Sequence, residues 1–401
     1  MRALPALLAL ALALPAAAQT RPDVPARGDA GTFDVASWNL EQFGDPSNGP
    51  NDTFQLLHAE AVIEQAEIDL WGLQEIERAD QWDALVANLA DTGWAAVRGP
   101  QVSGSTTFDL RLAFVYDPDV VAPVSIGTIL PGFSFEFAGR LPLEMVADVT
   151  VGGRTERMTI IDIHAKAQSD CCGPSSSYGR RAAAAAALKD YTDARLAEGQ
   201  AVIVLGDFND RLDGSISSGQ PSPYAPFIDD ADDYRGATIG VGPTFCGSNN
   251  SCSSGATIDN ILYTQPLFAG FAEGDRYAEL TTALPQYTST TSDHLPVLAR
   301  FAVGAVAAEP GAAALGIALS APAPNPVRGT ARLTATLDAP AAARLEIVDA
   351  LGRTVAVLAD GPLGAGPTAV AWDASGAAPG LYVARLTTPA GAVAQTLAVA
   401  R

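Results

Sequence analysis

Ala201-Val-Ile-Val-Leu-Gly-Asp-Phe-Asn-Asp210 is the stretch on which the reading of this chain turns. Residues 202–205 form a short apolar run of β-branched character, the pattern of a strand buried on both faces. Gly206 interrupts the run, and Asp207 and Asn209 follow at a spacing of two. Residues two apart in extended chain share a side, so a carboxylate and an amide leave the C-terminal edge of a rigid strand together. Taken alone, such an Asp is equally well explained as a turn-former. The flanking sequence decides, because segment after segment ends the same way.

Upstream, residues 33–40 alternate as a strand that delivers Asn39 and then Glu41, and residues 68–73 form a second buried strand ending in Gln74-Glu75. Residues 110–116 are a strand closed by Asp117-Pro118. Residues 145–151 and 158–163 read as a hairpin about Gly152-Gly153, and its second strand ends in His164-Ala-Lys166. Downstream, residues 258–263 carry Asp259, and Ser292-Asp293-His294 stands immediately before a last strand over 295–303. Three helical stretches separate the strands. Phe54, Leu57, Ala61 and Val62 follow Asp52 as N-cap, Asp80 caps a helix with Trp82, Leu85, Val86 and Leu89 inward, and residues 180–198 stop at Gly199.

Strand ends therefore deliver Asn39, Glu41, Glu75, His164, Asp207, Asn209, Asp259, Asp293 and His294. The remaining histidine, His58, lies mid-helix beside Leu57 and reads as a partly buried surface residue. Carboxylates and amides offering only oxygen suit a hard divalent ion, Mg²⁺, Mn²⁺ or Ca²⁺, rather than zinc. An imidazole beside such a site acts on a phosphate oxygen or a water. The chemistry best served is metal-assisted hydrolysis of a phosphate ester.

Composition bounds the setting. A chain of 401 residues exceeds one ordinary core, so two domains are expected. Residues 1–18 read as a secretory signal peptide, with Ala16-Ala17-Ala18 as its cleavage site, too short for a membrane span, so an exported protein with no stable membrane insertion is expected. Export permits disulfides. Of the connectivities open to Cys171, Cys172, Cys246 and Cys252, a bond between the adjacent pair is disfavoured by ring strain, and Cys246–Cys252 would close a small Gly/Ser/Asn-rich loop. The rival reading, zinc, lacks a Cys-x-x-Cys pair or a neighbouring His. The net charge is −21, and residues 32–303 carry 15 Lys plus Arg against 37 Asp plus Glu. That surface repels polyanions at long range and lacks a broad basic footprint for nucleic acid, although a high-salt habitat would screen the repulsion.

Residues 304–324 are an Ala/Pro/Gly linker, and residues 325–401 hold short strands at regular spacing between Gly and Pro turns, a small β-sandwich.

The motifs resemble a known family. Ser37-Trp-Asn39, Gln74-Glu75, Gly206-Asp-Phe-Asn209, Ile258-Asp259 and Ser292-Asp-His294 are similar, in order, to those of the endonuclease/exonuclease/phosphatase superfamily over residues 32–303. The resemblance implies an α/β (α+β) four-layer sandwich, with two mostly antiparallel sheets face to face and helices outside. It implies Glu75 as principal metal ligand, with Asn39 and Asp293 nearby and Glu41 as an added acid. Asp207 and Asn209 would orient water and hold the scissile phosphate. His294, its ring held by Asp259, would contact phosphate or act as general base. His164 resembles the secreted deoxyribonuclease branch, where abasic-site repair enzymes have Tyr. The Glu that partners that His in the branch is replaced by Leu110, with Asp109 facing the other way. Lys166, Arg111 and Arg140 resemble substrate-groove cations, although pairing with surface acids explains the arginines equally well. Arg180 and Arg181 open a helix against its dipole, which points to a substrate or carboxylate partner.

The C-terminal unit resembles a sorting domain of the type IX secretion pathway in Ala323-Pro-Asn-Pro326, Leu345-Glu-Ile-Val-Asp-Ala-Leu-Gly-Arg353, Trp372-Asp373 and Pro379-Gly-Leu-Tyr382. It implies outer-membrane export machinery as a partner, a secreted or cell-surface location, and no catalytic residues of its own. The leading functional expectation is a secreted metal-dependent endonuclease on DNA, with RNA as the secondary substrate. Its rivals are a lipid or small-molecule phosphoesterase, opposed by the lack of an evident exposed aromatic hairpin, and a non-catalytic adhesion module, opposed by the intact residue set.

Overall fold

Strands buried on both faces need cover on both sides, and this chain supplies it by packing two sheets together and laying helices outside them. The computed structural model describes residues 20–101, 109–304, 316–349, 353–389 and 391–400. The expected signal peptide and residues 305–315 of the expected linker lie outside them. The chain divides into two compact units between residues 305 and 306.

The first unit runs β1 (Phe33–Phe43), α1 (Asp52–Gln65), β2 (Leu70–Ile76), α2 (Ala79–Ala90), β3 (Ala95–Arg98), β4 (Arg111–Tyr116), β5 (Val121–Thr128), β6 (Leu143–Val151) and β7 (Arg154–His164). It continues with α3 (Ser177–Ala197), β8 (Ala201–Asp207), β9 (Tyr234–Gly236), β10 (Asp259–Thr264), β11 (Phe271–Arg276) and β12 (Val297–Phe301). One sheet has the order β11-β12-β1-β2-β4-β3 and the other β5-β6-β7-β8-β10-β9. Pairing is antiparallel except for β1 with β2 and β7 with β8, which lie at the centres of their sheets.

The opening stretch shows why four layers form. Ile203 and Leu205 face the inter-sheet core with Phe33, Leu70, Phe114 and Met145, whereas Val202 and Val204 face outward onto Ala184, Ala185 and Leu188 of α3. On the other sheet, Trp38 and Trp71 pack outward against Val62 of α1 and Leu85 of α2. Period-two alternation with apolar residues on both faces is the signature of a central strand.

Local chemistry shifts several boundaries. Asn51, not Asp52, caps α1 by accepting the Phe54 N–H at 3.3 Å. Asp80 lies inside the first turn of α2 and binds the Arg78 guanidinium, so it makes no cap. Both acids still sit where a helix dipole favours negative charge. Helix α3 begins three residues before Arg180, with Ser176 accepting the Gly179 N–H. Gly152 and Gly153 turn the β6–β7 hairpin at φ 58° and 76°. Cys246 bonds Cys252, and Cys171 bonds its neighbour Cys172, contrary to expectation. With the first pair committed to each other, the adjacent cysteines have only one another.

The second unit stacks a sheet of Ile317–Leu319, Thr330–Leu337 and Gly366–Asp373 with one of Thr354–Leu363, Ala341–Asp349, Gly380–Thr388 and Gly391–Val399. Leu333, Leu345, Ile347, Trp372, Tyr382 and Leu386 fill its core. Ile317–Leu319 lies within the stretch expected to be linker, yet it pairs along Thr330–Leu337.

Candidate active site

Because β1 and β2, like β7 and β8, run parallel, their C-terminal ends emerge together, and both sheets present those ends at one edge of the sandwich. Pairing slips between Asn39 and Phe43 on β1 and between Leu73 and Ile76 beside β4. In these irregularities Glu41, Gln42 and Glu75 adopt φ of 46°, 50° and 61°, and beyond β8 Asn209 adopts 49°. Left-handed backbone is uncommon for residues with a Cβ and concentrates where a side chain must be aimed.

What is aimed is a connected set. The Asn39 amide donates to Glu75 Oε1 and to Asp207 Oδ2, both at 3.1 Å, and so ties one sheet to the other. The Gln42 N–H holds Glu75 Oε2 at 2.9 Å. Asp207 accepts from the Asn209 N–H at 2.8 Å and from its amide at 3.0 Å. Asp259, opposite Asp207 in the β8–β10 register, holds His294 Nδ1 at 2.8 Å. The His294 backbone is held too: its N–H by Ser292 Oγ, its carbonyl by Tyr287 and Trp38. Asp293 donates its N–H to Glu41 Oε2 at 2.7 Å. His164 Nε2 lies 3.6 Å from Glu75 Oε1 and 3.4 Å from Asp207 Oδ2.

A cleft of about 480 Å³ is lined by Glu41, Glu75, His164, Asp207, Asn209, Asp293 and His294, with Arg140 on its wall. Arg140 is anchored to the His164 and Ala165 carbonyls. Leu110 lines the cleft as well, and His164 Nδ1 has no hydrogen-bond partner among the described residues. Arg111 is not brought in. It pairs with Asp109 beside a separate hollow. Lys166 bonds the carbonyl of Ala167. Arg181 finds its carboxylate in buried Asp210, and its guanidinium also holds the Lys166 carbonyl, so its role is to fix that loop. His58 is nearly fully buried, bonded to Thr291.

Electrostatics separate the two imidazoles. Burial, then Arg140 and His294, holds His164 well below the ordinary histidine range. Burial also opposes charge on His294, but Asp259, Asp207 and Asp293 together raise it well above that range. Burial and Asp293 push Glu41 up to about 8. Burial, opposed by His294 and aided by Asp259, pushes Asp207 up to about 7. Asp293 is raised as well, by burial first.

This crowding tests whether a metal fits. Carboxylates driven towards protonation by burial, and further by one another, are what a hard divalent cation would re-ionise. Asp207, Asp259 and His294 bring donor atoms within 4.8 Å of one another, but His294 Nδ1 is spent on Asp259. Glu75, Glu41 and Asp293, with Asn39 beside them, are the better oxygen set.

Two features escaped the sequence reading. Gln74 donates to Asp162 Oδ1 at 2.6 Å and to Ser37 Oγ at 3.1 Å, a buried clasp between the sheets directly beneath the site. Burial, against the bond from Gln74, raises the Asp162 carboxyl well above its usual range. A lone acid two residues before His164 in an apolar strand was its available signal. The second feature is aromatic. Phe133 and Phe135 are 38% and 56% exposed, which corrects the expectation that no exposed aromatic segment exists.

A two-sheet sandwich that gathers acids, amides and imidazoles at one end defines a class, the metal-dependent phosphoric ester hydrolases. The chain belongs to the endonuclease/exonuclease/phosphatase family, which it matches over residues 36–294. Solved structures similar to it include a family member from Bacteroides vulgatus, 16% identical, covering 68% of this chain and 99% of its own, with a TM-score of 0.48. Another, from Beutenbergia cavernae, is 19% identical and covers 91% and 100%, with a TM-score of 0.47. A mannosyl-6-phosphatase from Bacteroides thetaiotaomicron is 16% identical and covers 67% and 98%, with a TM-score of 0.46. No curated protein matches the sequence.

Proposed function

We propose that the chain is a divalent-metal-dependent phosphodiesterase that hydrolyses DNA or RNA. The observation that carries this reading is the convergence on one cleft of Glu41, Glu75, Asp207, Asn209, Asp293 and two imidazoles, tied across the sheets by Asn39. Glu75, Glu41, Asp293 and Asn39 would hold the cation, Mg²⁺ first and Mn²⁺ or Ca²⁺ as alternatives. When bound, it supplies Lewis-acid neutralisation of a phosphate oxygen. His294, charged and fixed by Asp259, is suited to donate to a phosphate oxygen as negative charge develops there. Asp207, near neutrality and braced by Asn209, is suited to orient the attacking water and take its proton. His164, whose pKa burial lowers, offers Nε2 on the opposite side, and Arg140 adds a fixed cation for the phosphate.

The N-terminal apolar segment and the C-terminal motifs support export, with the sorting domain engaging outer-membrane machinery and leaving the enzyme secreted or on the cell surface. A second reading, a lipid or small-molecule phosphoesterase, is kept alive by the exposed Phe133 and Phe135.

The full chain is assayed on plasmid DNA, RNA, sphingomyelin and inositol phosphates, with Mg²⁺, Ca²⁺ or chelator. Metal-dependent nicking, reduced about 10³-fold or more in Glu75→Ala and His294→Ala, is the expected result. Intact nucleic acid alongside turnover of either other substrate would transfer the site to the second reading.

A further inference from the structure

The catalytic unit is strongly acidic, so a nucleic-acid substrate needs a local place to hold it. One rim of the cleft has the chemistry. Residues 131–139 fold into a compact knuckle through Phe137 N to Phe133 O, Ala138 N to Phe135 O and Gly139 N to Ser134 O. Phe137 plugs this knuckle into the core beside α3, and the segment leads directly into Arg140 on the cleft wall. Phe133 and Phe135 are thereby held outward on ordered backbone.

Next to them stand cations. The Arg180 guanidinium lies 4.3 Å from the Phe135 ring centre and is pinned by its Nε on the Phe135 carbonyl at 2.9 Å. Lys166 lies on the loop that Arg181 fixes, between Ala165, whose carbonyl Arg140 holds, and Ala167, which lines the cleft. Burial, then Arg180 and Arg140, lowers its ammonium pKa, as expected where cations crowd. An anion arriving there would relieve that repulsion.

We propose that Phe133, Phe135, Arg180 and Lys166 form a subsite for an unpaired nucleotide flanking the scissile phosphate, its base stacked on the phenyl rings and its phosphate met by Lys166 and Arg180. The inference rests on the phosphodiesterase reading above and narrows it to single-stranded nucleic acid. Aromatic platforms bind bases only when their faces are free, which a duplex denies them. A lipid surface fits less well. Glu136 directly follows Phe135 and would be drawn towards the apolar layer with it, as would the Arg180 guanidinium packed on that ring.

The test uses the full chain with Mg²⁺ and three probes: a single-stranded oligonucleotide, its duplex, and bis(p-nitrophenyl) phosphate. Wild type should favour the single strand. Phe133→Ala with Phe135→Ala should lower kcat/KM on it about tenfold, mainly through KM, and leave the small diester unchanged. Phe135→Trp should restore the loss, which separates stacking from a folding defect, and Lys166→Gln should flatten the salt dependence. Unchanged single-strand kinetics in the double variant overturns the subsite. So does loss of binding to phosphatidylglycerol vesicles with oligonucleotide kinetics intact, which would assign the rim to membrane. Wild type that turns over the diester but no nucleic acid instead defeats the function reading itself.

Discussion

Acidic side chains gather at both ends of the catalytic sandwich, and only one end is built as a site. Opposite the cleft, Asp29, Glu64, Glu67, Asp69 and Asp117 line a hollow of about 450 Å³, close in size to the catalytic one. There the acids answer to the backbone, to hydroxyls and, at Glu64, to Arg21, with no imidazole among the lining residues. Asp34 accepts from the Asp29 N–H and from Thr32 Oγ1, and Asp69 from the Asp34 N–H. Glu67, at the turn from α1 into β2, and Gly152 are left-handed in that lining, and only Glu67 of the two carries a side chain. At the cleft end the acids also accept from backbone N–H groups, but there they meet Asn39 and two imidazoles as well, on backbone that is left-handed at Glu41, Gln42, Glu75 and Asn209. Acid density is therefore a poor marker of function. Acids that share protonation with imidazoles, on backbone bent to aim them, are a better one.

Three substitutions probe that contrast. Asp259→Asn acts on the cleft end and should have the largest effect, a fall in kcat of about 10²-fold or more, because the ring it orients loses its brace. Removing that negative charge also lowers the His294 pKa, so the fraction of charged imidazole falls at lower pH than in wild type. The alkaline limb of the pH–rate profile should move down accordingly. An unmoved limb would mean that His294 works uncharged.

Asp162 sits between the two ends and comes second. Asp162→Ala removes the shortest of the Gln74 amide's bonds and leaves those to Ser37 Oγ and the Gly72 carbonyl, which should cost about 1–3 kcal/mol of stability, read by urea unfolding. It should also lower kcat about tenfold at unchanged KM, since Glu75 follows Gln74 and His164 lies two residues on. Asp162→Asn keeps the acceptor for Gln74 and should recover most of both. Wild-type kcat in folded Asp162→Ala protein would divorce the clasp from the chemistry.

Asp69→Asn, at the far end, should leave kcat within twofold. Burial, against the bond from the Asp34 N–H, pushes Asp69 up to about 7. The folded chain thus holds this proton more tightly than the unfolded chain, whose carboxyl titrates near 4. Stability falls as pH rises between those values and is flat above them. The substitution should remove part of that fall, about 1–2 kcal/mol at pH 8 relative to pH 4, measured by unfolding at each pH. A catalytic defect here would erase the distinction between the two ends.

Much of this was legible beforehand, for reasons that particular residues make plain. Val202, Ile203, Val204 and Leu205 announce a strand covered on both faces, and strand-end residues can be aligned by parity alone, so the convergence of Asn39, Glu75, His164 and Asp207 could be anticipated. Parity fails where pairing is irregular or the strand is exposed. Edge strand β5 has mostly exposed residues and includes Pro123, so it carries no alternation to read. Asp52 and Asp80 mislead because an acid favours the first turn of a helix as well as its cap. Arg111 looked equally like a substrate cation and a surface ion pair, and its local geometry with Asp109 decides for the pair. In Phe133-Ser-Phe-Glu-Phe137 the spacing is uniform, yet Phe137 is buried while Phe133 and Phe135 are exposed. Only tertiary packing makes that choice.

The two central parallel pairs, β1 with β2 and β7 with β8, have a consequence for how such a protein diversifies. Each pair enters at the far end and leaves at the cleft, so the reacting groups sit on strand termini while every segment departing from them is free to lengthen or shorten. Residues 44–51 and 165–176 are two such departures. Changing them reshapes what the cleft admits without sliding Asp207 or Glu75, whereas one residue gained within β8 would turn Asp207 to the opposite face. Chemistry and selectivity are in this way written on separable lengths of chain, one intolerant of insertion and the other open to it.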